Sequence, residues 1–256
     1  MEIRYWDKEI ETASREKIQQ IQLARLKNII AAALRTPFYS RKLSAVGIKS
    51  PEDVRSLDDL RRIPFTMKDD LRQSYPKGLL AIDTSEVVRV HTSSGTTGIP
   101  TVIYFSAADL DAATDLMARS ITATGATKAD VLQNMMSYGL FTGGLCMHYG
   151  AERVGMMVIP AASGNTKRQV QLMKDFRTTV LHITPSYLLH IHSKLGEYGV
   201  ALKDLSLRKA FIGAEPHSEN TRRKLEELYE IDAYNSYGLS EMNGPGVAFE
   251  CVYKND

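Results

Sequence analysis

An α/β fold, with mostly parallel sheets flanked by helices and a helical N-terminal appendage, is what this sequence predicts, and three observations carry it. From about residue 86 onward, short runs rich in Val, Ile and aromatic residues alternate with longer segments of helical period. Clusters of Gly, Pro, Ser, Thr and Asn punctuate that alternation. Before about residue 85 the pattern is mainly helical. The chain therefore divides into a helical region over 1–85 and an α/β region over 86–256.

The elements follow in order. Residues 16–36 contain neither glycine nor proline, and Leu26, Ile29, Ile30, Ala33 and Leu34 recur at helical spacing, which predicts an amphipathic helix ending before Pro37. Thr66-Met67-Lys68-Asp69 reads as a capping box ahead of Leu71. Residues 87–91 and 102–105 are β-branched and aromatic, so they read as two strands of a hairpin joined at Ser93-Ser94-Gly95-Thr96-Thr97-Gly98. Ser106-Ala107-Ala108-Asp109 caps a helix running to about Ala123, and a strand follows at 131–135. A helix after Gly143, a strand at 155–159, a helix capped by Thr166-Lys167-Arg168-Gln169 and a strand at 179–183 continue the rhythm. Thr184-Pro185 opens the next helix, 209–212 is a strand and 219–229 a helix. Parallel strands place ligands at their C-terminal ends, and Gly213-Ala214-Glu215-Pro216 stands at one such end.

Composition narrows the class. A chain of 256 residues, 43% apolar and 24% charged, is large enough for one big domain or two small ones. The net charge of +2 comes from interspersed signs, which argues against a nucleic-acid partner or an anionic membrane. No apolar run approaches the roughly 18 residues of a bilayer span, and the charged start Met1-Glu2-Ile3-Arg4 makes the cytoplasm the expected location. Cys146 and Cys251 lie far apart, so reduced thiols are expected rather than a disulfide framework.

The hairpin loop has the composition of a polyphosphate cradle. The Walker loop is excluded, because Gly98 is followed by Ile99-Pro100-Thr101 with no lysine. What remains is a nest of backbone N–H groups freed by Gly95 and Gly98, with the hydroxyls of Ser93, Ser94, Thr96 and Thr97 as further donors. The same composition also suits an ordinary hairpin turn.

This loop resembles the signature of the adenylate-forming superfamily, the acyl-CoA ligases and their relatives, and the chain is most similar to the phenylacetate-CoA ligase family, which carries Thr, as Thr101 here, where many relatives have Lys. Three more segments extend the resemblance. Ser137-Tyr138-Gly139-Leu140-Phe141-Thr142-Gly143-Gly144, with His148-Tyr149-Gly150-Ala151-Glu152-Arg153, is similar to an acyl-pocket segment; 212–216 resembles an adenine-binding turn; and Ser236-Tyr237-Gly238-Leu239-Ser240-Glu241 resembles a tyrosine and metal-ligand motif. The resemblance implies the N-terminal large domain of an adenylate-forming enzyme that uses ATP, Mg²⁺ and coenzyme A to activate an aryl acid, phenylacetate first among them. It implies phosphate binding by residues 93–98, with Thr96 and Glu241 in the chemistry and Glu241 on Mg²⁺. Adenine would rest on Tyr237, against Gly213, Ala214, Glu215 and Pro216, with Asn235, Ser236, Gly238 and Ser240 nearby. Tyr138, Phe141, Gly143, Gly144, Ala214, Gly244 and Pro245 would form the acyl pocket.

Family members continue past the last motif with a ribose-binding aspartate, a hinge and a small mobile lid domain carrying a lysine, none of which precedes Asp256. The expectation is a chain that binds nucleotide with impaired turnover. A non-catalytic nucleotide- or acyl-binding module, and a ligase for another aryl acid or a deazaflavin-type cofactor, stay open beside it. A homodimer is a further expectation of the resemblance. His182 reads as a core residue and His148 as the histidine nearest substrate, while Cys251 would need outside partners to bind zinc.

Overall fold

The computed structural model describes residues 3–93, 98–242 and 244–254. They fall into two units, Asp7–Ala108 and, with the N-terminal residues to Trp6, Asp109–Asp256.

The first unit contains α1 (Lys8–Glu11), α2 (Arg15–Ala33), α3 (Pro37–Ala45), α4 (Lys68–Gln73) and an antiparallel pair, β1 (Val87–Thr92) with β2 (Val102–Ser106). Ser14 caps α2 by accepting the Lys17 N–H, and Thr36 caps α3, whose first residue is Pro37. Ile30 on α2 packs with Leu43, Ile48 and Val54, and Leu26, Ala33 and Leu34 lie against them. Ile29 does not join this core and is exposed, because adjacent helical positions point about 100° apart. The expected capping box at Thr66 is shifted by one residue. Met67 is the N-cap and its N–H donates to Asp70 Oδ2 at 2.9 Å, while the Thr66 hydroxyl bonds Tyr39 Oη at 3.0 Å. The hairpin strands occur where expected and group with the helices that precede them.

In the second unit α5 (Ala107–Ala123) leads into β3 (Val131–Asn134), α6 (Thr142–Val154), β4 (Met157–Ile159), α7 (Thr166–Asp175), β5 (Val180–Ile183), α8 (Pro185–Lys194), β6 (Lys209–Gly213), α9 (Glu219–Tyr229), β7 (Asp232–Leu239) and β8 (Gly244–Phe249). The sheet order is β4-β3-β5-β6-β7-β8, parallel except for the last pair. Side chains alternate across the strands. Leu181, Ile183, Ala210, Ile212 and Ala233 pack with residues of α7, α8 and α9; Leu132, Val180, Phe211 and Tyr234 pack with residues of α5 and α6. Helices thus cover both faces, the arrangement that shields a parallel sheet.

Three local expectations change. Helix α6 begins at Thr142, so Gly143 and Gly144 lie inside its first turn rather than ahead of it. Asn165, not Thr166, caps α7 by accepting the Arg168 N–H. Strands β7 and β8 go beyond the expected set: their Asn, Ser, Gly and Pro residues have low strand preference, and pairing of β7 with β6 and of β8 with β7 supplies what propensity does not.

Candidate functional site

Connection order puts a crevice at one end of this sheet. The chain leaves β3 through α6 to β4 on one side, then returns through α7 to β5 on the other side of β3. The strand order therefore reverses between β3 and β5, the position where α/β sheets open a cleft beyond their C-terminal ends. A small cleft of about 50 Å³ lies there. Met136 follows β3, His182 is on β5, Gly213 and Ala214 close β6, and Ser236, Gly238 and Leu239 come from β7. Phe141, Thr142 and Gly143 at the start of α6, with Ser240 and Gly244 of the β7–β8 connection, complete the wall.

Two glycines are required by close approach. A Cβ on Gly213 would land inside the radius of the Ser236 carbonyl oxygen, its register partner on β7. A Cβ on Gly143 would sit 2.5 Å from Phe141 Cε1, so the aromatic ring lies directly over that glycine. Phe141 is 41% exposed, a ring on the cleft rim rather than in the core.

One buried amide organises the floor. Asn134 and His182 are register partners on adjacent strands, on the face that α6 covers. Asn134 Nδ2 donates to the Gly144 carbonyl at 2.7 Å, and a carbonyl only accepts, which fixes the orientation of the amide. Its Oδ1 accepts the Met136 N–H at 3.2 Å and faces His182 Nδ1 at 2.9 Å, so Nδ1 of His182 carries the proton. Asn134 Nδ2 also reaches Tyr138 Oη at 2.9 Å; the Tyr138 hydroxyl donates to His148 Nδ1 at 3.0 Å, and His148 Nε2 donates to Glu152 Oε1 at 3.0 Å. Burial pushes the Tyr138 phenol up to about 12, which keeps it protonated as this chain of bonds needs.

Burial also drives the His182 imidazole down from 6.5 to about 3. The unfolded chain takes up this proton as pH falls through about 6.5, whereas the folded chain does not until about 3. Stability from this group is therefore complete above the upper value and is lost as pH drops between the two, at up to about 1.4 kcal/mol per pH unit. Urea unfolding across that interval should show the loss, and His182→Phe should flatten it.

The cleft brings together Phe141, Gly143, Gly213, Ala214, Ser236, Gly238, Ser240 and Gly244 of the expected site residues. Tyr138 stands behind it, bonded to Asn134 and His148, and Gly144 contributes its carbonyl to Asn134. Tyr237 is 58% exposed on β7, so it is not a packed core aromatic. Glu241 is exposed at the turn between β7 and β8. Asn235 is exposed and its N–H donates to Glu250 Oε2 at 2.6 Å. Glu215 accepts the Ser186 N–H at 2.6 Å and the Ser186 hydroxyl at 2.9 Å, at the first turn of α8. Pro216 is exposed beside it, and Pro245 lies in β8. In the first unit Ser93 closes the hairpin neck, its Oγ accepting the Thr101 N–H at 2.9 Å. Ser94, Gly95, Thr96 and Thr97 lie outside the described residues, and Gly98 has φ +116°.

Sequence reasoning missed three participants. His182 read as core, Asn134 as an ordinary strand residue, and Met136 was given no place in the site. The available signal was Gln133-Asn134 at the end of a buried strand, where an amide needs partners. Among the described residues no group of three or more His, Cys, Asp or Glu is placed to hold a metal ion, and no helix is long and apolar enough to cross a membrane.

Comparison with known proteins agrees with this architecture. The family described as AMP-binding enzyme matches residues 16–255. A phenylacetate-coenzyme A ligase of Thermus thermophilus is 48% identical over 245 residues, 95% of this chain and 55% of that protein. The phenylacetate-coenzyme A ligase of Escherichia coli is 44% identical over 249 residues, covering 96% of this chain and 57% of its own length. The chain thus spans about half the length of the curated relatives it matches. Among solved structures, 2-hydroxyisobutyryl-CoA ligase in complex with 2-HIB-AMP and CoA superposes with a TM-score of 0.91 at 28% identity, over 98% of this chain and 55% of that one.

Proposed function

Because the chain belongs to the AMP-binding enzyme family, we propose that it forms the nucleotide- and acid-binding part of an AMP-forming acid–thiol ligase for an aryl acid, phenylacetate first among them. The observation that carries the reading is the convergence of three segments distant in sequence, 136–143, 213–214 and 236–244, on one cleft at the strand-order reversal. The phenylacetate-coenzyme A ligases similar over nearly the whole of this chain support the choice of acid.

In this reading a carboxylate oxygen attacks the α-phosphorus of ATP, an O–P bond forms and pyrophosphate leaves; the thiol of coenzyme A then takes the acyl group and releases AMP. The barrier to the first step is electrostatic, since an anion approaches a polyanion. Residues 93–98, Thr96 included, would surround the phosphates with N–H and O–H donors, and Gly213, Ala214 and Ser236 would approach the adenine while Tyr237 supplies an aromatic plane. Mg²⁺ suits one exposed carboxylate, such as Glu241, with water and phosphate oxygens as its other ligands, and when bound it would offset phosphate charge. Phe141 over Gly143 would form the aromatic wall of the acyl pocket. Division of labour between 1–85 and 86–256, a homodimeric state and a cytoplasmic location belong to the same proposal.

A second reading, a ligase for a small hydroxy acid, is favoured by the likeness to the structure holding 2-HIB-AMP and CoA. Calorimetry with ATP, AMP, phenylacetate and 2-hydroxyisobutyrate separates the two. Phe141→Ala should weaken phenylacetate binding about tenfold or more, the worth of one desolvated aromatic contact, and leave AMP binding within about twofold of the parent chain. Equal losses for acid and nucleotide would count against the aryl pocket, and no binding of any of these ligands would overturn both readings.

A further inference from the structure

The cleft is mostly apolar in lining, yet one polar atom set into its floor has no use in the reaction as described. His182 is 3% exposed and lines the cleft. Its Nδ1–H is committed to Asn134 Oδ1, and the amide orientation behind that assignment is forced by the Gly144 carbonyl and supported by the Met136 N–H. The imidazole is uncharged, so Nε2 presents a bare lone pair, and it is the ring nitrogen left for a ligand. Rotating the ring or changing its tautomer would break the bond to Asn134 Oδ1 and leave a buried N–H without a partner, which costs more than a single hydrogen bond returns. A neutral imidazole of such low basicity is a poor proton acceptor but a competent hydrogen-bond acceptor.

We propose that His182 is a specificity-determining residue whose Nε2 accepts a hydrogen bond from an uncharged O–H or N–H donor on the bound ligand, and so disfavours ligands that place an acceptor or an anion at that point. The inference rests on reading the cleft as the nucleotide and acid site. Two parts of the ligands could supply the donor: the exocyclic amine of the nucleobase, or a hydroxyl on the ring of the aryl acid. Both have the same chemistry at Nε2. The hydrogen-bond chain through Tyr138 and His148 to Glu152 explains why the acceptor is rigid, since Asn134 is held from two further sides.

The test measures preferences on the intact chain by calorimetry. One arm compares AMP with IMP, in which the amine is replaced by a carbonyl; the other compares phenylacetate with 3- and 4-hydroxyphenylacetate. In one of the two arms the donor-bearing ligand should bind about tenfold tighter or more, as expected for a site whose buried acceptor is otherwise left unpaired. In His182→Phe that preference should collapse to within about threefold, the donor-bearing ligand losing more affinity than its donor-free counterpart. A preference that survives the substitution overturns the proposal, as does an equal loss for both members of a pair, which is what a merely structural role would give. Nitrogen-15 NMR of the unsubstituted chain provides a readout independent of the variant: the Nε2 resonance should be that of an unprotonated nitrogen and should move on adding the donor-bearing ligand but not its donor-free counterpart. A protonated Nε2, or equal movement with both, overturns the proposal. If no nucleotide or acid binds at all, the parent reading fails and the inference fails with it; binding without dependence on His182 removes the inference alone.

Discussion

Gly213→Ala should destroy the cleft at its floor. Gly213 ends β6 and pairs with Ser236 on β7, and its α-hydrogen faces the Ser236 carbonyl so closely that a methyl group cannot be inserted without separating the strands. The obstacle is backbone, so no side-chain rotation relieves it. A loss of about 3 kcal/mol or more is expected, at the upper end of overpacking, with AMP binding abolished. Gly143→Ala is the contrast: there the obstacle is the Phe141 ring, which is half exposed and can swing aside. That variant should unfold within about 1 kcal/mol of the parent while losing affinity for aryl acids. Urea midpoints for the two variants, measured with and without AMP, check both statements; similar destabilisation in the two would refute the argument.

Asn134→Ala should be as damaging, for a polar reason. Removing the amide strands the Met136 N–H and His182 Nδ1–H in the interior, takes a second donor from the Gly144 carbonyl that α6 already engages, and releases Tyr138 from one of its partners. At about 1–3 kcal/mol for each buried group left unpaired, and with partial relaxation, the expected loss is on the order of 4 kcal/mol. Asn134→Asp tests the deduced orientation. It keeps an acceptor for His182 but presents an oxygen to the Gly144 carbonyl, so it should be nearly as unstable as the alanine variant at neutral pH. Were the aspartate tolerated, the amide would have to be turned the other way, and the tautomer assigned to His182 would be lost.

Local pattern announced much of this. Strand 179–183, the helix from Thr184-Pro185 and the helix at 219–229 were legible because caps, proline and period agreed with the eventual packing. The site was legible where motifs lay at strand ends, as with Gly213 and Ala214. It was illegible where it depended on which strands become neighbours. His182 sits in a four-residue strand whose residues are all buried, and nothing local separates a core histidine from one bordering a cleft. Only the placement of β5 beside β3, with Asn134 opposite His182, makes the difference. Tyr237 was legible from its own motif, Ser236 to Glu241, although its position opposite Ala248 depends on β8.

The Glu215 carboxylate grips Ser186 twice, and in doing so it staples the connection after β6 to the one after β5. The connections that follow β5 and β6 are therefore tied together as one stiff bracket beside the cleft. On the proposed reading, accommodation of acids of different size falls to the opposite wall, where the exposed Phe141 ring stands ahead of α6.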